Sequence, residues 1–198
     1  LNILKITHGN LGNKVGEVFD GTSKAHFLRA KELLNSSELS DLLYCGLELR
    51  FGIEARLQEY KNAHIEIKNK KARGWKISEM AKTIESAFNS GDSHIIFTVF
   101  EAETNEIISK VHYTPVTGVL QNIAKKSGNY LDYSKKDITD SEDWWEKYRT
   151  FLKEGIEELE YAVSGQLMGP PLQKKDNPKE MHFVIDGDRT KIFPPGKK

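Results

Sequence analysis

Apolar residues follow a helical spacing over most of this chain and give way to two-residue alternation in short stretches. Four glycines punctuate residues 1–21, after a strand-like Ile3-Leu4-Lys5-Ile6 start. Thr22 or Ser23 then caps a first helix carrying Phe27, Leu28, Ala30, Leu33 and Leu34, and Asn35-Ser36-Ser37 closes it. Residues 38–60 hold the strongest helical pattern and predict a long second helix. A polar, lysine-rich connector over 61–74 leads through Trp75-Lys76-Ile77 to a third helix, capped by Ser78, with Met80, Ile84, Ala87 and Phe88 on its apolar side. The period then shortens to two. Ile95, Phe97 and Val99 share a strand face, Ile107, Val111 and Tyr113 lie on a second arm, and 101–106 is the turn, so 94–113 is an inserted β-hairpin. Thr114-Pro115 supplies a cap and a first-turn proline for a fourth helix through Val116, Val119, Leu120 and Ile123, broken or bent at Gly128-Asn129. Thr139 or Ser141, followed by acidic residues suited to the positive helix end, opens a fifth. Its stripe of Trp145, Tyr148, Leu152, Ile156, Leu159 and Val163 is nearly heptad, the pattern of a helix–helix seam. Gly165 ends it, Gly169-Pro170-Pro171 makes a linker, and residues 181–193 read as a second hairpin about Asp186-Gly187. The expected architecture is mainly α: a helical bundle of about five helices with an inserted β-hairpin and a C-terminal β-hairpin. The helical domain spans 1–165, and 166–198 is linker and tail hairpin.

Composition narrows the classes. At 198 residues, folding hides roughly 70% of the unfolded chain's surface, so neither a disulfide nor a metal staple is required. Lysine plus arginine and aspartate plus glutamate each number 29, a formal net charge of zero. That excludes a polybasic coat for phosphate backbones and leaves room for a local basic patch. The single cysteine, Cys45, excludes an internal disulfide and a Cys-rich zinc cluster. No run approaches the ~18 apolar residues of a membrane helix. The first residues show no long apolar core and no small-residue cleavage site, so no signal peptide is expected. With the lone thiol, this points to a cytoplasmic protein with no membrane partner.

The second helix carries the unusual chemistry. Projected at about 100° per residue, its apolar face centres on Leu39, Leu43, Gly46, Leu47, Ile53 and Leu57, and Arg50 and Glu54 fall in the middle of it. Four residues apart, they are neighbours that can pair. Glu48 lies off this face and is expected in solvent. A buried arginine needs a partner, because removing one member of a buried pair costs about 3–5 kcal/mol. Two meanings stay open: a structural ion pair that fixes register or a dimer contact, or a polar pocket where Arg50 holds a phosphate or carboxylate and Glu54 orients it. Gly46, on the buried side, favours a tightly packed partner helix, whereas Gly52 reads as an exposed glycine of no consequence.

Familiar catalytic signatures are missing. The chain has no Gly-rich phosphate loop, dinucleotide fingerprint, nucleophile elbow or His-Glu-x-x-His motif, and no cofactor is expected. Its six histidines (8, 26, 64, 94, 112 and 182) lack metal-ligand spacing, so no metal is expected either. His26 and His64 stand out because a groove between helices can bring them near Arg50. The connector's Lys68, Lys70, Lys71 and Arg73 with Trp75 offer charge plus stacking to nucleic acid, although a solvated loop accounts for them as simply. Trp144-Trp145 reads as a core residue beside a partly exposed neighbour.

Two segments carry a family likeness: Ala25-His26-Phe27-Leu28-Arg29-Ala30-Lys31-Glu32-Leu33-Leu34, then Leu43-Tyr44-Cys45-Gly46-Leu47-Glu48-Leu49-Arg50-Phe51-Gly52-Ile53-Glu54. With Gly74-Trp75-Lys76-Ile77 and Ser127-Gly128-Asn129-Tyr130-Leu131-Asp132, they resemble bacterial helical proteins related to the HEPN superfamily (higher eukaryotes and prokaryotes nucleotide-binding domains). The resemblance implies an all-helical core, often a homodimer, and in many members RNA cleavage linked to toxin–antitoxin or phage-defence systems. Catalytic members carry an arginine followed, after four to six residues, by a histidine. No arginine here meets that spacing; Arg56 and His64, with seven residues between, come nearest. The resemblance therefore implies a non-catalytic, homodimeric HEPN-like module that binds a protein or nucleic-acid partner. Two alternatives stand beside it. One is a metal-independent ribonuclease with an atypical site, Arg50 or Arg56 stabilising phosphate charge and His64 or His26 serving as general acid or base. The other is a small-molecule sensor with an anion pocket at Arg50. Arg50, Glu54, Arg56, His64 and His26 are the candidate polar site.

Overall fold

The computed structural model describes residues 19–64, 77–88, 90–100, 104, 106–131, 142–169 and 184–185. Among these are five helices, α1 (Ser23–Leu34), α2 (Leu39–Ala63), α3 (Ile77–Phe88), α4 (Gly118–Leu131) and α5 (Glu142–Ser164), and three strands, β1 (Ile95–Phe100), β2 (Ile107–Tyr113) and β3 (Val184–Ile185). The mainly helical architecture with an inserted hairpin is as the patterning predicts. No helix among the described residues is long and apolar enough to cross a membrane.

α1 begins where Thr22 stays extended and its hydroxyl accepts the Ala25 amide at 3.2 Å. Asp20 accepts the Thr22 amide at 2.9 Å, and hydrogen bonds from Thr22 hold its carboxyl below the ordinary range. The Asn35 and Ser36 amides close the helix on Glu32 and Leu33 carbonyls. α2 then runs back antiparallel: the Cys45 thiol donates to the Ala30 carbonyl, and Ser23 meets Glu59. It is the central helix and touches each of the other four. Its buried stripe runs Leu42, Cys45, Leu49, Ile53, Arg56, Leu57 and Tyr60.

α5 lies beside α2 in the same direction, so that Gly46 faces Tyr148, Gly52 faces Leu159, and Arg56 reaches Ala162. A methyl at Gly46 would collide with the Tyr148 hydroxyl, which is why the helices approach so closely there. Gly52 is likewise buried, against Leu159 and His26, which corrects its reading as an exposed glycine. The nearly heptad stripe of α5 is spent inside the chain. Tyr148, Leu152, Ile156 and Leu159 are all buried in the common core, so this stripe is not a free seam for a second copy.

The fourth predicted helix starts later than its Thr114-Pro115 signal. Thr117 caps α4 by accepting the Leu120 amide, and Asp92 accepts the Gly118 amide at 2.9 Å. Thr114 is instead buried as a hydrogen-bonding hub. α4 also passes through Gly128 to Leu131 without a break. The hairpin pairs antiparallel from Ile95 opposite Tyr113 to Phe100 opposite Ile107, and the sheet order is β2-β1-β3. Ile95 and Tyr113 bury its base in the helical core, while Val99, Phe100, Ile107 and Ile108 farther along it are exposed. Of the predicted tail hairpin, Val184 and Ile185 pair antiparallel with Ile96 and Ile95, and the rest lies outside the described residues.

Candidate functional site

α2 distributes its charges differently from the projection above. Arg50 Nε donates to Glu54 Oε1 at 3.1 Å, so the predicted pair forms, but the side chains are 40% and 24% exposed. The buried stripe centres on Leu49 and Arg56, roughly a quarter turn away from Arg50. The pair sits on the flank of the helix, not in the core. Glu48, expected in solvent, instead takes two donors.

The sequestered cation is Arg56, only 2% exposed. Its Nε donates to the Tyr60 hydroxyl and the Ala162 carbonyl, both at 2.9 Å. Nη2 reaches the Gly165 carbonyl at 3.0 Å, and Nη1 meets Glu59 Oε2 at 3.1 Å and Met168 Sδ at 3.2 Å. Ala162 and Gly165 lie at the C-terminal end of α5, where the helix dipole favours a cation. Glu59 does the complementary work: its carboxylate accepts the Ser23 amide at 2.8 Å and the Ser23 hydroxyl at 2.7 Å, at the N-terminal end of α1. One turn of α2 thus clasps the ends of two neighbouring helices. Tyr60 extends the clasp by donating to the Thr114 carbonyl, and burial pushes its phenol well above the usual range. Thr114 in turn donates to Ala162 O at 2.9 Å and accepts the Gly165 amide at 3.1 Å. With its donors committed in this way, Arg56 holds the fold together and is not placed to meet a substrate phosphate.

His64 belongs to the same end of the molecule. Its Nε2 lies 3.1 Å from the Met168 carbonyl oxygen, and its ring packs edge-on against Phe88 at 5.0 Å. Gly169, at φ +137°, fits beneath Phe88 and His64 where no side chain would. Arg56 and His64 therefore meet at Met168, as packing and anchoring groups.

His26 sits in a different setting. Its Nδ1 is 2.7 Å from Glu48 Oε2, which also accepts Arg29 Nε at 2.9 Å. The same Nδ1 lies 2.8 Å from Arg29 Nη2, so it is held between a carboxylate that accepts and a guanidinium that donates, and Nε2 has no hydrogen-bond partner among the described residues. The Arg29 guanidinium also sits over the Phe19 ring at 4.7 Å and donates to the Asp20 carbonyl. Phe19 and Phe51 flank the imidazole, with ring centroids at 6.0 and 5.8 Å. These two phenylalanines are 70% and 45% exposed. The histidine also lines a cavity of about 220 Å³ with Phe51, Glu54, Ala55, Gln58 and Met80.

Of the candidate residues, the fold brings His26 and Glu54 to one cavity, with Arg50 holding Glu54 from outside it. Arg56 and His64 lie elsewhere. A larger cleft of about 690 Å³ opens between α2, α3 and the start of α4, over Leu57, Tyr60, Ile84 and Tyr113. Arg50 lines neither space. Arg29, Phe19 and Phe51 were not among the candidates and Glu48 was expected in solvent, although Glu48 and Phe51 lie within two residues of Arg50. Among the described residues, no group of three or more His, Cys, Asp or Glu is arranged to hold a metal. No protein-family model matches the chain, and comparison with curated proteins and with solved structures finds no match.

Proposed function

We propose that this chain is a non-catalytic, HEPN-like helical binding module that docks a protein partner on the face around His26. The carrying observation is the exposure of Phe19 and Phe51 on either side of an imidazole whose neighbouring charges already satisfy one another. Exposed aromatic rings over a preorganised polar base are the make-up of an interface hot spot, because little order is left to impose on binding. The charges favour protein over nucleic acid. A phosphate backbone would meet Asp20, Glu48 and Glu54 against Arg29 and Arg50, and the whole chain has no positive excess. The family resemblance supplies the setting, a toxin–antitoxin or phage-defence system. The test is photo-crosslinking in the native cells from position 51, compared with the exposed Lys153 on α5. One protein adduct at 51, lost on Phe19→Ala and absent from 153, is expected. Adducts to RNA, or equal labelling from both positions, would overturn the assignment.

A second reading rests on a separate observation, an imidazole held at Nδ1 by Glu48 and Arg29 and lining a cavity. That is the arrangement of a general base, and it supports an acid–base ribonuclease centred on His26. An RNA-degradation assay separates the two. Cleavage abolished by His26→Ala but untouched by His64→Ala favours the enzyme, and an inert wild-type chain leaves the binding module alone.

A further inference from the structure

We infer that the cavity beside His26 receives one arginine side chain of the docked partner, an inference that rests on the docking reading above. α2 builds most of this cavity from a single stripe: Phe51, Glu54, Ala55 and Gln58 follow the i, i+3, i+4, i+7 spacing, so their side chains share one face. His26 of α1 and Met80 of α3 complete the lining. With only a methyl, Ala55 leaves room between the longer side chains around it. At about 220 Å³ the cavity falls short of the roughly 300–1,000 Å³ of small-molecule sites, and it suits a single inserted side chain.

The lining selects the kind of side chain. Arg50 Nε engages Oε1 of Glu54 at 3.1 Å, which leaves Oε2 without a partner among the described residues. Gln58 donates its amide nitrogen to Asn62 at 2.7 Å, and its carbonyl oxygen is likewise uncommitted there. Two acceptors one helical turn apart therefore line the cavity, and no lysine or arginine lines it. The surrounding face sets three carboxylates, Asp20, Glu48 and Glu54, against two guanidiniums, Arg29 and Arg50, so it holds one negative charge in excess, leaving His26 aside. A guanidinium meets each demand. Its fork of N–H donors can bridge Glu54 Oε2 and Gln58 Oε1, its plane stacks on an aromatic ring such as Phe51, and its apolar stem packs on Ala55 and Met80. Lysine offers a point charge without the fork or the stacking plane. A carboxylate or phosphate would meet Glu54 with no lysine or arginine in the lining to offset it. Arginine is also among the residues that most often dominate interface energetics.

The probe is n-butylguanidinium, an arginine side chain without its backbone, titrated into the full chain carrying methyl-labelled methionine and followed by NMR. The chain has three methionines, and Met80 lies in the lining. The Met80 methyl signal, identified by its loss in Met80→Leu, is expected to shift to saturation with a dissociation constant of about 2–20 mM, while the Met168 signal stays still. Glu54→Gln should weaken binding at least about fivefold, and Ala55→Leu should abolish it by filling the space. n-Butylammonium should bind at least about threefold more weakly. An unmoved Met80 signal overturns the inference, and so does an equal response to n-butylammonium or butyrate, or indifference to Glu54→Gln. Such a failure beside a persistent protein adduct from position 51 removes the arginine and keeps the docking face. A missing adduct with Met80 still titrating removes the docking face and keeps the guanidinium site.

Discussion

Arg50–Glu54 and Arg56–Glu59 are two ion pairs on one helix, six residues apart, of the same residue types and nearly the same spacing. The first bridges the flank of α2, half-exposed. In the second, the arginine is dry and the pair joins the C-terminal end of α5 to the N-terminal end of α1. Exposed pairs are worth at most about 1 kcal/mol, whereas breaking a buried one leaves stranded charges and carbonyls. What separates them is azimuth on the helix and the elements that lie across from it, not their own chemistry.

The largest effect belongs to the buried pair. Arg56→Ala should cost about 3–5 kcal/mol in urea unfolding, since it strands Glu59 and the carbonyls of Ala162 and Gly165. If Arg50→Ala costs as much, the contrast collapses. Next comes the packing that brings α5 within reach of Arg56. Gly46→Ala should cost about 1–3 kcal/mol by driving a methyl against the Tyr148 hydroxyl. Among the described residues that hydroxyl is buried without a hydrogen-bond partner, so Tyr148→Phe should be neutral to slightly stabilising and should recover most of the Gly46→Ala loss. Additive losses in the double variant would show that the collision is not the cause.

A smaller effect reports on the dry stripe itself. Burial pushes the Cys45 thiol up to about 12, so the folded chain keeps it neutral where the unfolded chain ionises. Its contribution is complete below the ordinary thiol value and fades as pH rises from there toward about 12. Wild type should lose about 1–2 kcal/mol relative to Cys45→Ala between pH 7 and pH 10. Parallel pH profiles would place the thiol in water. Arg50→Ala should be the mildest change, within about 0.5 kcal/mol, with 1 M salt removing most of the difference.

The order of helices and the hairpin were legible because their cues are local: the Thr22 cap, the alternation of Ile95, Phe97 and Val99, the run of apolar residues at helical spacing in α5. Thr114 shows the limit of local cues. With Pro115 it forms a plausible helix start, yet its hydroxyl and carbonyl serve Ala162, Gly165 and Tyr60, and α4 begins at Gly118. The candidate site was legible in part. Arg56, His26 and His64 were marked as chemistry-bearing, but Glu48 and Glu59 were not, because their partners Arg29, His26 and Ser23 come from another helix.

By itself, the sequence determined a mainly helical chain with an inserted hairpin, a tight glycine contact at Gly46, and a charged pair within one turn of α2. Periodicity and capping act over a few residues, so they survive without knowledge of the fold. Only the tertiary structure decided which arginine is dry, that Glu48 orients His26, and that the stripe of α5 is consumed within the chain. A helix this rich in alternative apolar faces can be rotated by a quarter turn at little local cost. Its neighbours fix that angle, through close contacts at Gly46 and Gly52 and the two helix ends that Arg56 and Glu59 complete.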